Sequence, residues 1–265
     1  MIKTILITGL DGSGKSVIFS KLKSQKLEHV TLLTLPHIDE DVLPEDSALK
    51  KHTKLLNEMG ADADKNNRSD LKALSLFGAM MLYQKLADEM VTPLTRVLVC
   101  ERHPLVDPLV YARFYTGRIS PGSLKRERLD YYNEAYGQLL GFILSLLPVK
   151  GLADPAGTLF TFIHDCFKDA TVPDEKLRAL FKTSLPDEIY FLKAEPGVLL
   201  NRIASRKVSE PHEQLQILAL FDKIYDSLFD AVAIRHKTVV EYIHASQFES
   251  LDRFYGRLVN EILNQ

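Results

Sequence analysis

Residues 7–19 read ITGLDGSGKSVIF, and this stretch decides the class of fold that the sequence predicts. It contains the pattern G-x-x-x-x-G-K-[ST], which begins at Gly9 and ends with Lys15 and Ser16. An apolar run precedes the pattern and a helical segment follows it, which is the context that a phosphate-binding loop requires. Glycines let backbone N–H groups turn inward around an anion, and the next helix presents its positive end to that anion. The stretch therefore predicts a site for a nucleoside triphosphate.

The residues of this loop have distinct predicted roles. Lys15 is expected to reach the β and γ phosphates, and Ser16 is expected to ligate Mg²⁺. We therefore expect ATP and Mg²⁺ as cofactors. The nucleotide-binding residues predicted within the loop are Gly9, Asp11, Gly12, Ser13, Gly14, Lys15 and Ser16.

Five short apolar runs separated by helical patterns predict a buried parallel sheet. Strands that alternate with helices imply right-handed crossovers and helices on both faces of the sheet. We therefore expect a three-layer α/β fold whose five-stranded parallel sheet is flanked by helices, with ligands at the carboxyl ends of the strands. The predicted strands are residues 2–8, 30–35, 97–100, 189–192 and 239–243.

The remaining segments are expected to be mainly helical. A period near 3.6 predicts a helix from residue 69 to 90, and a second helical pattern covers residues 123–147. Ser246-Gln-Phe-Glu249 has the form of a capping box and predicts the start of the last helix. Residues 40–69 are polar and charged, and we interpret them as a surface excursion or mobile loop.

Composition limits the partners of the chain. With 33 basic and 35 acidic residues the formal net charge is −2, which indicates neither a nucleic-acid groove nor attachment to an anionic membrane. A small-molecule partner fits better. Only Cys100 and Cys166 occur, and no leader pattern or membrane-length apolar run is present, so we expect a cytoplasmic protein with reduced thiols. We interpret residues 1–265 as one domain with a mainly helical insertion at about 117–186.

Strand three is followed by Glu101-Arg102-His103, where a parallel sheet binds its ligands. Glu101 is a candidate for holding the metal. Arg102 is a candidate for clamping an acceptor phosphate in a bidentate manner or for polarising a hydroxyl near the γ-phosphate. A switch GTPase would carry an Asn-Lys-x-Asp sequence late in the chain, and the sequence has none. A motor would end this strand in Asp or Asp-Glu. Phosphoryl transfer to a small acceptor is therefore favoured.

The chain resembles the superfamily of thymidylate and deoxynucleoside kinases. The resemblance rests on Asp11 to Lys15 in the loop, on the Glu101-Arg102-His103 triplet, and on His244-Ala245-Ser246 near the end. The resemblance implies a P-loop kinase fold that is often dimeric. It also implies that Asp11 is associated with the acceptor sugar and that Arg102 contacts the acceptor. Ala245 and Ser246 would lie against adenine. The segment YFLKAEPGVLLNRIASRK is similar to the fourth strand and lid helix of the family, and we expect a lid at about 202–213. Arg202 and Arg206, four apart, would close over the phosphoryl group, although a solvated helix face explains Arg202 equally well.

The acceptor is the open question. The resemblance places Phe77 where thymidylate kinases stack on thymine, but Met81 stands where they carry an arginine. His37 stands where deoxynucleoside kinases carry a catalytic glutamate, and Tyr111 matches a base-stacking tyrosine of herpesviral thymidine kinases. An ionised acceptor phosphate needs positioning rather than a base. The leading hypothesis is therefore a dTMP kinase-like enzyme. The alternatives are a deoxynucleoside (thymidine) kinase and a nucleotide-binding regulatory protein without turnover.

Overall fold

Five parallel strands form one sheet in the computed structural model, which describes residues 2–116, 122–149, 153–204 and 213–264. The strands are β1 (Lys3–Thr8), β2 (Val30–Leu33), β3 (Val97–Cys100), β4 (Glu188–Lys193) and β5 (Val239–His244). Their order across the sheet is β2-β3-β1-β4-β5, and every pairing is parallel. All five strands expected from the apolar runs are therefore confirmed.

The chain divides into two units, and the sheet lies in the first. This unit comprises residues 1–34, 89–102 and 185–265, and the second comprises residues 35–88 and 103–184. The helices of the first unit are α1 (Lys15–Gln25), α8 (Pro196–Ile203), α9 (Leu215–Arg235) and α10 (Phe248–Leu263). Within the described ranges, no helix has the length and apolar character needed to cross a bilayer. The single domain expected over residues 1–265 stays a prediction.

Strand β4 shows that helices cover both faces of the sheet in the first unit. Phe191 contacts Tyr225 and Phe229 of α9, with ring centroids 4.9 and 5.2 Å away. Its neighbour Tyr190 contacts Phe254 of α10 at 5.1 Å. Successive residues of a strand point to opposite faces, so α9 and α10 lie on opposite sides of the sheet. The predicted three-layer α/β class is confirmed.

The second unit is helical. Its helices are α2 (Ala48–Lys65), α3 (Ser69–Met90), α4 (Asp107–Thr116), α5 (Arg126–Ser145), α6 (Pro155–Phe167) and α7 (Glu175–Phe181). A short 3₁₀ turn, Glu40–Val42, precedes them. The helices predicted over 69–90 and 123–147 are thus confirmed.

The prediction of a loop over residues 40–69 is wrong, because most of this segment forms α2. The Ser47 hydroxyl caps the helix by accepting from the Leu49 N–H at 3.0 Å. A narrow stripe of residues is buried at helical spacing, although charged residues surround it in the sequence. The buried members are Leu49, Thr53, Leu56, Met59, Gly60 and Ala63.

The prediction of a capping box at Ser246 and Glu249 is also wrong. Helix α10 begins at Phe248, and Gln247 occupies the N-cap position without a side-chain hydrogen bond. The Ser246 hydroxyl is buried and has no hydrogen-bond partner among the described residues. The hydroxyl therefore leaves the first turn of the helix uncapped.

A half-buried carboxylate links helices α2 and α5 of the second unit. Asp62 of α2 accepts hydrogen bonds from the hydroxyls of Tyr131 and Tyr136 of α5, both at 3.0 Å. Arg68, just before α3, lies 3.6 Å from the same carboxylate. Burial raises the pKa of Asp62, but the hydrogen bonds to its charged form outweigh burial and hold the pKa below its usual value.

Replacing Asp62 with Asn should lower the free energy of unfolding by about 1–2 kcal/mol at pH 7, because the tyrosine hydroxyls lose a charged acceptor. The folded-state pKa lies below the unfolded one, so this stabilisation is present above the unfolded-state pKa and disappears as the pH falls through the folded-state value. Denaturant unfolding of both proteins at several pH values should therefore show their stabilities converging below about pH 4. Asp252→Asn, at an exposed pair with Lys21, serves as the control and should change stability by less than about 0.5 kcal/mol. A difference that stays constant with pH would contradict the assignment.

Candidate functional site

The phosphate-binding loop connects β1 to α1 at the carboxyl edge of the sheet. Helix α1 begins at Lys15 with Gly14 at its N-cap position, and the Ser13 N–H donates to the Leu10 carbonyl at 3.1 Å within the loop. The first N–H groups of a helix have no intrahelical acceptor and attract anions. Ser16 is exposed in this first turn. The loop thus has the geometry that an anion site requires.

Two glycines of the loop have positive φ angles and lie close to neighbouring helices. Gly12 has a φ of +82°, and a Cβ atom there would lie 3.0 Å from the Leu199 carbonyl oxygen and 3.2 Å from Cγ1 of Ile203. Gly14 has a φ of +100°, and its Cβ would lie 2.7 Å from Cδ1 of Leu251. The loop backbone is therefore packed directly against α8 and α10.

Two buried cations meet one carboxylate at this loop. Lys15 is 5% exposed, and its Nζ donates to the carbonyls of Gly9 at 2.8 Å and Leu10 at 3.1 Å. The same Nζ lies 3.8 Å from Oδ1 of Asp11. Arg102, 8% exposed, places Nη2 3.5 Å from that oxygen. Buried charges are costly unless they are paired, so Asp11 holds both cations beside the loop.

Arg102 follows the end of β3, as the sequence predicted. The backbone N–H of Glu101 donates to the Leu33 carbonyl at 3.0 Å, which continues the pairing of β3 with β2 by one residue. The Glu101 side chain is half-buried. The sheet thus fixes the backbone from which both predicted side chains extend.

His103 follows these residues but has a different environment. It belongs to the second unit, where its Nδ1 accepts from the Leu105 N–H at 3.2 Å and its ring meets Tyr83 edge-on at 4.9 Å. Burial lowers the pKa of His103 to about 3. The ring is therefore neutral at physiological pH and has a structural role.

Arg202 makes a set of contacts that the sequence did not predict. Its Nη1 donates to the carbonyls of Gly12 at 3.2 Å and Ala245 at 2.9 Å, and its Nη2 donates to the Ser246 carbonyl at 3.0 Å. The guanidinium also lies over the Phe248 ring at 5.0 Å. Arg202 therefore links the phosphate-binding loop to the loop after β5. Arg206 and residues 205–212 of the expected lid lie outside the described residues.

Three of the predicted acceptor residues, Phe77, His37 and Tyr111, belong to the second unit. Phe77 is 5% exposed and packs against Phe162, Phe167 and Phe181 at centroid distances of 5.9, 6.4 and 6.3 Å. This cluster gives Phe77 a core role in addition to any role in binding. Tyr111 of α4 is buried and His37 is exposed. The acceptor-binding roles of Phe77, His37 and Tyr111 stay predictions.

Two buried hydroxyls near the loop suit a polar ligand. Among the described residues, neither Ser13 Oγ nor Ser246 Oγ has a hydrogen-bond partner. Unpaired buried polar atoms are uncommon and cost free energy. Ser13 Oγ also lies 2.7 Å from the point where a Cβ on Gly9 would be, so the loop leaves no room for a side chain there. The loop therefore fits a bound polyphosphate.

Comparisons with known proteins give structural matches only. No family model matches the sequence, and no curated protein matches it. The structure is similar to that of thymidylate kinase from Candida albicans, with a TM-score of 0.48, 18% identity, and coverage of 99% of this chain and 92% of the other. It is also similar to deoxyadenosine kinase from M. mycoides with bound dATP, with a TM-score of 0.49, 14% identity, and coverage of 99% and 100%.

The sheet order, the phosphate-binding loop and the flanking helices together define the fold class. The chain has a three-layer α/β fold with a phosphate-binding loop after its first strand. The fold expected from the motifs is confirmed.

Replacing Gly12 with Ala should lower the free energy of unfolding by about 2 kcal/mol. The positive φ of this position is strained for any residue with a Cβ, and the new Cβ would also press on α8. The matched control is Gly197→Ala, since a Cβ on Gly197 meets nothing within 4 Å. That variant should be unchanged or more stable by up to about 1 kcal/mol. Equal stability of the two variants in denaturant titrations would show that the loop does not press on α8.

Proposed function

We propose that this protein transfers the γ-phosphoryl group of ATP to a deoxynucleoside monophosphate, in the manner dTMP + ATP → dTDP + ADP. The observation that carries this proposal is the pair of buried cations, Lys15 and Arg102, held by Asp11 beside the phosphate-binding loop. An oxygen of the acceptor phosphate attacks the γ-phosphorus while the bond to the bridging β–γ oxygen breaks, and ADP leaves. This reaction transfers negative charge between two phosphate groups and needs fixed positive charge on both sides.

The protein's own residues divide this task. Backbone N–H groups of residues 9–16 bind the β and γ phosphates, and Lys15 exchanges its loop carbonyls for a γ-phosphate oxygen. Arg102 holds the acceptor phosphate through its two-pronged guanidinium. Asp11 positions Arg102 and Lys15 relative to each other, because its Oδ1 lies within 4 Å of both.

The side chains available for Mg²⁺ are Ser16 and Glu101. The Ser16 hydroxyl is exposed in the first turn of α1, and Glu101 follows β3. Hydroxyl and carboxylate oxygens are ligands that Mg²⁺ prefers in proteins, so these residues fit the ion. Mg²⁺ held by Ser16 and Glu101 would neutralise part of the charge on the phosphates during transfer.

A monophosphate acceptor agrees better with this site than a nucleoside. A sugar hydroxyl benefits from a general base, and the position of that base in deoxynucleoside kinases is the exposed His37 in this chain. An acceptor phosphate is already ionised and is attracted to the cation Arg102. Glu101, half-buried next to Arg102, supports deoxynucleoside kinase activity as the second candidate.

Parallel ADP-release assays with dTMP, other deoxynucleoside monophosphates, thymidine and deoxyadenosine distinguish the candidates. Turnover only with monophosphates supports the proposal, and turnover only with nucleosides supports the second candidate. ATP-dependent thermal stabilisation without any product would indicate a regulatory protein that binds nucleotide without catalysis.

Replacing Lys15 with Met should lower kcat by at least about a hundredfold, because the charge beside the transferred phosphoryl group is lost while the aliphatic volume remains. Lys21→Met, on the outer part of the same helix, is the matched control and should retain wild-type turnover. Circular dichroism and thermal unfolding check that both variants fold. Wild-type kcat in a folded Lys15→Met variant would refute the proposal.

Replacing Arg102 with Met should lower kcat/KM for the monophosphate acceptor by about a hundredfold or more and change the KM for ATP by less than about threefold. The reason is that Arg102 is assigned to the acceptor phosphate rather than to the nucleotide donor. Steady-state kinetics with each substrate varied in turn provide the measurement. A larger effect on the KM for ATP than on the acceptor would assign Arg102 to the donor.

A further inference from the structure

Arg202 connects two loops at the carboxyl edge of the sheet by donating hydrogen bonds to backbone carbonyls of both. It donates to one carbonyl of the phosphate-binding loop, at Gly12, and to two carbonyls of the loop after β5, at Ala245 and Ser246. A guanidinium is planar and its donors have fixed directions. The three bonds therefore fix the distance between the two loops.

The loop after β5 has features that suit a nucleobase. Ala245 is fully buried, and its N–H donates to the Lys193 carbonyl at 2.7 Å, so the loop is fixed to the end of β4. Ser246 Oγ is a buried hydroxyl without a partner among the described residues. Phe248 follows, and it is 62% exposed. A polar group next to an exposed aromatic ring is a common way to bind a flat heterocycle.

We propose that Arg202 is a positioning residue that sets the spacing between the phosphate-binding loop and residues 245–246, so that the base and the triphosphate of one nucleotide bind together. This inference rests on the proposed function, since it assumes that the donor is a nucleoside triphosphate. It differs from the role expected from the sequence, in which Arg202 closes over the transferred phosphoryl group. In the structure its Nη1 and Nη2 donate to the carbonyls of Gly12, Ala245 and Ser246.

Phe248 supports this role of Arg202. The guanidinium lies 5.0 Å from the ring centroid, which shields one face of the cation and restricts its rotation. Phe248→Leu removes this restraint and leaves all three hydrogen bonds possible. Its effect should therefore have the same direction as that of Arg202→Met and be smaller.

The phosphate-binding loop has other supports that do not involve Arg202. The Ser13 N–H donates to the Leu10 carbonyl within the loop, and the backbone at Gly9 and Gly14 lies so close to Leu192 and Leu251 that an added Cβ would clash with them. Loss of Arg202 should therefore leave the affinity for a triphosphate without a base nearly unchanged. This difference separates positioning from a general collapse of the site.

The test compares binding of ATP and of inorganic tripolyphosphate to the full chain, both with Mg²⁺, by isothermal titration calorimetry. Arg202→Met should weaken ATP binding by at least about tenfold and change tripolyphosphate binding by less than about twofold. Arg202→Lys should recover part of the loss, because one ammonium group cannot reach all three carbonyls. Arg253→Met, an exposed arginine of α10, should match the wild type.

Kinetics give a second readout. Positioning predicts a higher KM for ATP with kcat within about threefold of wild type at saturating ATP. A fall in kcat at unchanged ATP affinity would assign Arg202 to the transferred phosphoryl group and overturn the inference. An equal loss of ATP and tripolyphosphate binding would also overturn it. If Arg202→Met does not fold, the same comparison is made with Arg202→Lys, for which an unchanged ratio of the two affinities counts against the inference.

The two proposals fail in different ways. A wild-type protein that binds neither ATP nor tripolyphosphate refutes the proposed function and the inference together. A wild-type protein that binds both, with an Arg202→Met variant that keeps the wild-type ratio of affinities, refutes the inference alone.

Discussion

The close approach of the phosphate-binding loop to its neighbours is the constraint on which the site depends. A side chain at Gly9, Gly12 or Gly14 would meet the carbonyls of Leu192 or Leu199, or the side chain of Leu251. These contacts come from β4, α8 and α10, which lie far along the chain from the loop. A local sequence motif therefore has its shape only when the last third of the chain has folded against it. The glycines serve this packing as much as they serve a ligand.

The strand order explains why distant charges meet. β1 pairs with β3, with Leu6 opposite Cys100, so the residues that follow the two strands leave the sheet at the same edge. Asp11 and Arg102 are 91 positions apart in the sequence and lie 3.5 Å apart in the structure. β4 lies on the other side of β1, and the helix after β4 brings Arg202 to Gly12. One parallel arrangement thus assembles the charged part of the site.

The sequence predicted the features that depend on side-chain type. Apolar runs gave the sheet, and the glycine-lysine pattern gave the loop. It did not predict α2, because a narrow buried stripe is hard to distinguish among many charged residues. It also did not predict the bonds of Arg202, since backbone carbonyls are present at every residue and have no sequence signature. The side-chain packing of Phe77 depends on α6 and α7, whose positions no pattern around residue 77 indicates.

The triplet at the end of β3 shows how the fold assigns charge to similar residues. Arg102 and His103 are both buried, but a guanidinium stays protonated in proteins and has the carboxylate of Asp11 nearby. The imidazole of His103 instead meets the Tyr83 ring and a backbone N–H, and burial keeps it neutral. Because Arg102 does not titrate, the positive charge that it contributes does not vary with pH.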